Sequence, residues 1–119
     1  MSTEQTQWTI DRYFDLMGKD EDFTACCTQD VTWLVADTGE VVEGRAAVLG
    51  YVNSLHATMA DAQTRHLMVA EDSVYLEGDC ADPASSDGAR RRYCIAYDIR
   101  QGQITAMRCY GPLGLSAAS

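Results

Sequence analysis

The chain has 119 residues, of which 46% are hydrophobic and 23% charged, as expected for one folded domain spanning residues 1–119. Nine basic and eighteen acidic side chains give a net charge of −9, which argues against a nucleic-acid partner and against an anionic membrane surface. No segment is long and apolar enough for a membrane span, and the N-terminus shows no secretory signal, so we expect a cytoplasmic protein.

The first part of the chain predicts three helices. Ser2 or Thr3 can cap a first helix that ends at Gly18, and its apolar stripe has helical spacing, formed by Ile10, Tyr13, Phe14 and Met17. A short second helix is expected over residues 21–27, capped by Asp20. A third helix opens at Gly44-Arg45 and carries its own apolar stripe.

Strands are predicted before the third helix and throughout the second half of the chain. Their β-branched and aromatic content places them at 31–36, 41–43, 64–70, 73–80, 90–100 and 103–110. Three helices packed on one face of an antiparallel sheet make an α+β domain. Because twist accumulates along a sheet, we expect the strands to curl into a cone around a cavity.

The cysteines and histidines do not predict a metal site. An odd number of cysteines without a secretory signal indicates reduced thiols, at Cys26, Cys27, Cys80, Cys94 and Cys109. No CxxC spacing is present, and His56 and His66 lie on different predicted elements. We therefore expect no metal and no cofactor.

In this order and spacing, five segments resemble the nuclear transport factor 2-like superfamily, in its SnoaL-like branch. The segments are DRYFDLMGKDEDF at 11–23, QDVTW at 29–33, VEGRAAVLGY at 42–51, RHLMVAED at 65–72 and YDIRQGQITAMRCY at 97–110. The resemblance covers nearly the whole chain and implies a cystatin-like α+β cone. It does not imply one activity, because the superfamily includes isomerases, dehydratases, epoxide hydrolases and non-catalytic binding domains.

Ketosteroid isomerase is one relative that the resemblance suggests. Tyr13 falls where that family keeps its oxyanion-hole tyrosine. The family's general-base aspartate would fall near Val35 and its neutral carboxylic acid near Ile95, and neither aliphatic side chain can move a proton. Because the isomerisation needs both a base and a donor, Tyr13 alone cannot carry it.

Scytalone dehydratase and related lyases are a second comparison. TRHLMVA at 64–70 resembles the strand that bears their catalytic histidine, and His66 matches that position. Their partner aspartate falls near Met17 here, with Asp15 and Asp20 close by in sequence. The Asp–Arg–Asp set of limonene epoxide hydrolase has no counterpart, and that reaction is set aside.

His66 has two interpretations. A histidine can take a proton from carbon and return one to a leaving hydroxyl, because its reference pKa of about 6.5 lies near neutral pH. Alternatively, His66 is a partly buried structural residue that bonds a neighbour.

Strand alternation and the superfamily comparisons predict an aromatic, methionine-rich lining for an apolar or aromatic molecule. Besides His66 and Tyr13, the candidate lining residues are Met17, Trp33, Val35, Tyr51, Leu55, Met68, Ile95, Tyr97, Met107 and Cys109. Asp98 and Arg108 should face the opposite side of the sheet, which in this superfamily often forms a homodimer interface.

The leading functional hypothesis is a cofactor-independent lyase or isomerase that acts on a small apolar or aromatic substrate. His66 would be its acid–base and Tyr13 its hydrogen-bond donor. The alternative is a non-catalytic small-molecule-binding domain of the same fold, because the expected carboxylates are missing. A homodimer is expected in both cases, and neither a nucleic acid nor a membrane is an expected partner.

Overall fold

The computed structural model describes residues 2–113, which form two α-helices, one 3₁₀ turn and one six-stranded sheet. The elements are α1 (Thr3–Gly18), the 3₁₀ turn (Phe23–Cys26), β1 (Cys27–Val35), β2 (Glu40–Glu43), α2 (Arg45–Ala57), β3 (Gln63–Val69), β4 (Ser73–Ala81), β5 (Arg90–Arg100) and β6 (Gln103–Tyr110). The strand order in the curved sheet is β2-β1-β6-β5-β4-β3. The predicted α+β cone is confirmed. Neither described helix is long and apolar enough to cross a membrane.

Two details of the fold differ from the prediction. The expected second helix is a single 3₁₀ turn, which Asp22 caps by accepting a bond from the Thr24 amide at 2.9 Å. The turn is short because β1 begins directly after it, at Cys27. The sheet is also mixed, because β1 runs parallel to β6 while the other neighbouring strands are antiparallel.

Helix α1 is fixed across the sheet by two buried threonines. Ser2 and Gln5 form the capping box that begins the helix. Farther along, the Thr6 hydroxyl donates to the backbone carbonyl of Glu71, and the Thr9 hydroxyl donates to the carbonyl of Gly102 at 3.0 Å. Glu71 lies between β3 and β4, and Gly102 lies between β5 and β6. The helix is thereby tied to two hairpin turns.

The register of β3 changes at a bulge. Thr64 is opposite Gly78, but His66 is opposite Glu77, so β3 has one more residue than β4 over this step. An extra residue reverses which face the following side chains occupy. Thr64 consequently lines the concave face, whereas His66 and Met68 share the convex face with their partners Glu77 and Tyr75.

Gly78 lies where β4 passes beneath a tyrosine ring, and there is no room for a side chain. A Cβ at this position would lie 2.8 Å from the Gln63 carbonyl oxygen and 3.0 Å from the ring of Tyr93. We predict that Gly78→Ala destabilises the fold by about 1–3 kcal/mol, as overpacking does, measured by urea unfolding.

Gly50, within α2, provides the matched control, because a Cβ there meets nothing within 4 Å among the described residues. Gly50→Ala should stabilise the protein by about 0.5–1 kcal/mol through helix propensity. Equal unfolding midpoints for the two variants would contradict the proposed crowding at Gly78.

Candidate small-molecule site

The concave side of the sheet and the two helices enclose an open cavity of about 280 Å³. Its walls are mostly aromatic and aliphatic and include no Asp, Glu, Lys or Arg among the described residues. The lining residues are Tyr13, Phe14, Met17, Trp33, Val52, Leu55, His56, Met59, Ala62, Thr64, Leu76, Tyr93, Ile95, Tyr97 and Leu113. An apolar hollow with few polar groups is typical of a small-molecule site.

Aromatic rings close the deep end of the cavity. Tyr13 makes edge-to-face contacts with Phe14, Phe23 and Tyr97, at centroid distances of 5.5, 5.2 and 5.7 Å. Such pairs are favourable beyond the area that they bury. The Tyr13 hydroxyl donates to the Met107 sulfur at 3.5 Å, a weak bond because a thioether is a poor acceptor.

Burial raises the pKa of the Tyr13 and Tyr97 phenols well above the usual range. Both hydroxyls therefore stay protonated at neutral pH and can act only as donors or neutral acceptors, not as bases. This fits the predicted donor role of Tyr13, which stays a prediction because no ligand contact tests it.

His56 is the imidazole at this cavity. It lies in the last turn of α2, where the residue is exposed to solvent on one side and borders the cavity on the other. The surrounding atoms still exclude enough water to lower the pKa of the imidazole, since burial disfavours its charged form. The ring is consequently neutral at pH 7 and can accept or donate a proton.

The indole N–H of Trp33 is buried and has no hydrogen-bond partner among the described residues. Trp33 lies on the cavity wall, and its ring packs beside that of Tyr51, with centroids 6.3 Å apart. A buried N–H without a partner costs free energy, so this atom is a candidate donor to a ligand that displaces the ring slightly.

Arginines bind two carboxylates close to the loop that precedes β3. Arg90 donates to the Asp61 carboxylate at 2.7 Å, to the Asp61 carbonyl at 2.7 Å and to Asp79 at 2.7 Å. Arg65 also binds Asp79, and these bonds lower the pKa of that carboxyl to about 2. The clamp holds the loop between α2 and β3 in place, and that loop contributes Met59 and Ala62 to the cavity rim.

Six of the predicted residues line the cavity: Tyr13, Met17, Trp33, Leu55, Ile95 and Tyr97. Another three, Val35, Met107 and Cys109, are buried in the core and are not part of the cavity lining. Tyr51 is half-buried beside Trp33 and outside the lining. Burial raises the pKa of the Cys109 thiol to about 12, so it is protonated at neutral pH.

The prediction that His66 and Met68 face the cavity is wrong in placement. Both are exposed on the convex face, where they border a groove with Tyr75, Glu77 and Cys94. The cause is the bulge in β3, which reverses the alternation after Thr64. The other suggested partners are also outside the cavity: Asp15 is exposed and pairs with Lys19, and Asp20 is exposed.

Sequence reasoning missed several lining residues, of which His56 matters most. Val52 and His56 are four residues apart on α2, so helical spacing places them on one face. That pattern could have identified His56, although it does not say that this face borders a cavity. Met59 belongs to the apolar stripe predicted for the third helix, whereas Ala62 and Leu113 carried no such pattern, because they lie outside helices and strands.

Two residues predicted to face the opposite side of the sheet do so. Arg108 pairs with Asp98 at 2.6 Å, and both lie away from the cavity as predicted. Among residues 2–113 no group of three His, Cys, Asp or Glu side chains is arranged to hold a metal ion.

Comparisons with known proteins agree with this architecture. The model of the SnoaL-like domain matches residues 10–107. A steroid delta-isomerase from Pseudomonas aeruginosa superposes with a TM-score of 0.79 and 13% identity, covering 95% of this chain and 85% of that one. A nuclear transport factor 2-like protein of unknown function from Cytophaga hutchinsonii gives a TM-score of 0.70 and 22% identity, with coverages of 92% and 98%.

A protein provisionally named a ketosteroid isomerase, from Kribbella flavida, gives a TM-score of 0.72 and 21% identity, covering 92% of this chain and 78% of that one. A search of curated proteins finds no significant match. At these identities the structural likeness shows the fold alone. The family match spans most of the sequence, and the protein therefore belongs to the SnoaL-like domain family of the nuclear transport factor 2-like superfamily.

Proposed function

We propose that the cavity binds a small, uncharged, apolar or aromatic molecule. The observation that carries this proposal is the composition of the walls, which hold rings and aliphatic side chains but no charged residue among those described. A charged ligand would lose its hydration there without gaining a counter-ion, which is costly. The fold shared with proteins named as steroid isomerases supports an apolar ligand as well.

The binding function is favoured over catalysis because the described cavity wall has no carboxylate at the positions where the related enzymes keep their acid or base. Ile95 lines the cavity where ketosteroid isomerase would keep a carboxylic acid, and Val35, at the position of the base, is buried behind the wall. Met17 stands where the lyases keep an aspartate. Proton transfer at carbon needs a group that takes the proton and a group that stabilises the charge.

His56 favours a second candidate function, a cofactor-independent lyase or isomerase. Its neutral imidazole borders the cavity that also contains the protonated phenols of Tyr13 and Tyr97. In this mechanism His56 takes the role that the sequence suggested for His66. The imidazole removes a proton from carbon, and a phenol donates a hydrogen bond to the developing oxyanion.

The binding proposal predicts that β-naphthol, a neutral two-ring phenol, binds at the cavity. Trp33 lies on the wall, while Trp8 is 63% exposed on α1, so Trp8→Phe leaves Trp33 as the only indole. Titration of Trp8→Phe with β-naphthol should change the fluorescence of Trp33 saturably. Adding Ala62→Phe places a ring at the exposed rim, where it should obstruct the ligand. We expect binding to weaken by about tenfold or more, which corresponds to about 1.4 kcal/mol. Equal binding by both variants would place the ligand elsewhere.

The two histidines allow a matched test of catalysis. The substrate is the aldol of acetone and benzaldehyde, which loses water to form benzylideneacetone, followed by absorbance. If the protein is a lyase, His56→Gln should lower kcat/KM by about 100-fold or more, the scale of general acid–base catalysis, while His66→Gln should leave it unchanged.

The pH profile gives a further readout for this lyase. A base must be neutral, and burial lowers the pKa of His56, so the rate should be constant above neutral pH and fall only in more acidic solution than an ordinary imidazole would require. Unchanged turnover in His56→Gln, or no turnover by a protein that binds β-naphthol, would remove the catalytic candidate and leave the binding function.

We also propose that the convex face of the sheet pairs with a second copy of the chain. One row of mostly apolar residues crosses all six strands in register, formed by Met68, Tyr75, Ala96, Arg108, Leu34 and Val41. Met68, Tyr75 and Val41 are 68%, 43% and 56% exposed, and the charge of Arg108 is neutralised by Asp98. Between them Ala96 is buried and Leu34 is half-buried, so the exposed apolar side chains lie toward the two edges of the sheet. Exposed apolar side chains aligned across a sheet face often mark an interface.

We predict that Tyr75→Glu converts a dimer into a monomer, because it places an unpaired charge within this row. Sedimentation velocity at several concentrations measures the change. Trp8→Glu is the matched control, since it adds the same charge on the exposed side of α1 and should leave the dimer intact. A wild-type protein that stays monomeric at high concentration would contradict the proposal.

A further inference from the structure

We infer that the cavity selects molecules of one or two rings and excludes a four-ring steroid, although proteins named as steroid isomerases share the fold. This inference rests on the proposed binding function and specifies its ligand class. It follows from the size of the cavity, from what fills its deep end and from what holds its rim.

The volume sets the first limit. An apolar cavity of about 150 Å³ accommodates benzene, and the cavity here is about 280 Å³. This volume lies at the lower end of the range of about 300–1,000 Å³ that is usual for drug-sized ligands. Two fused rings fill such a space at the density of a protein interior, whereas four fused rings exceed it.

The rings at the inner end of the cavity cannot move aside for a longer molecule without losing their contacts with one another. Phe14 and Tyr97 meet at right angles with centroids 6.1 Å apart, and both also contact Tyr13. Tyr13 is 1% exposed and is held from behind by Phe23 and by its bond to Met107. A ring that entered this layer would have to displace several edge-to-face contacts at once.

Hydrogen bonds hold the rim of the cavity in place on the side of β3. Arg90 donates to both the side chain and the backbone carbonyl of Asp61. A further bond, to Asp79, anchors the guanidinium on β4. Ala81 adds a backbone bond to the Ala60 carbonyl at 2.9 Å. The loop that carries Met59 and Ala62 therefore cannot swing outward without breaking these bonds.

His56 gives the ligand an orientation. It is a polar side chain at the mouth, while the floor is formed by rings. A ligand with one hydroxyl or carbonyl group gains a hydrogen bond by placing that group toward His56 and its ring toward Tyr97. We therefore assign the ligand class as a neutral one- or two-ring molecule with a polar group at one end.

The test compares β-naphthol with a four-ring steroid that contains the same naphthol, so that one fluorophore reports on both. The full wild-type chain should bind β-naphthol at least tenfold more tightly than the steroid. Equal or tighter steroid binding would overturn the size limit but leave the proposed function standing. Binding of neither probe would overturn the proposed function and this inference with it.

A cavity-enlarging variant checks that space is the cause. Phe14 is half-buried, so Phe14→Ala opens the deep end with less loss of core than a change at Tyr13. This variant should bind the steroid at least tenfold more tightly than wild type does, while retained β-naphthol binding shows that it is folded. Unchanged steroid affinity in the folded variant would overturn the inference.

Discussion

The edge-to-face contact of Tyr13 with Tyr97 is the interaction on which the rest of the site depends. It joins the inner face of α1 to the central part of β5, and Phe14 and Phe23 complete the layer. Two buried threonines of α1 bond the hairpin turns, so the helix cannot slide along the sheet. Together these contacts fix the inner wall of the cavity, on which the proposed ligand class depends.

Strand register decides which polar groups reach the cavity. Without the bulge in β3, His66 would face the same side as Thr64 and would be a natural acid–base. With the bulge it lies on the convex face, opposite Glu77. The one imidazole on the described wall comes instead from α2, whose end is held near the rim by the loop that Arg90 binds.

The acidic character of the chain does not extend into the cavity. The net charge is −9, yet the described walls have no charged side chain. The carboxylates of Asp61 and Asp79 are bound by Arg90 and Arg65, and the pKa of Asp79 is lowered to about 2 as a result. A paired carboxylate of this kind is a poor base at neutral pH, which is why the geometry supports binding of a neutral molecule better than carboxylate-based isomerisation.

The sequence by itself determined the α+β class, the strands of the second half and six residues of the cavity lining. These depend on local periodicity, as in the stripe that contains Tyr13 and Met17 or the alternation that places Ile95 beside Tyr97. Only the tertiary structure decided that His56 borders the cavity and His66 does not. A bulge and a parallel pairing between β1 and β6 arise from contacts between distant segments, and a single extra residue reverses a face without leaving a local pattern in the sequence.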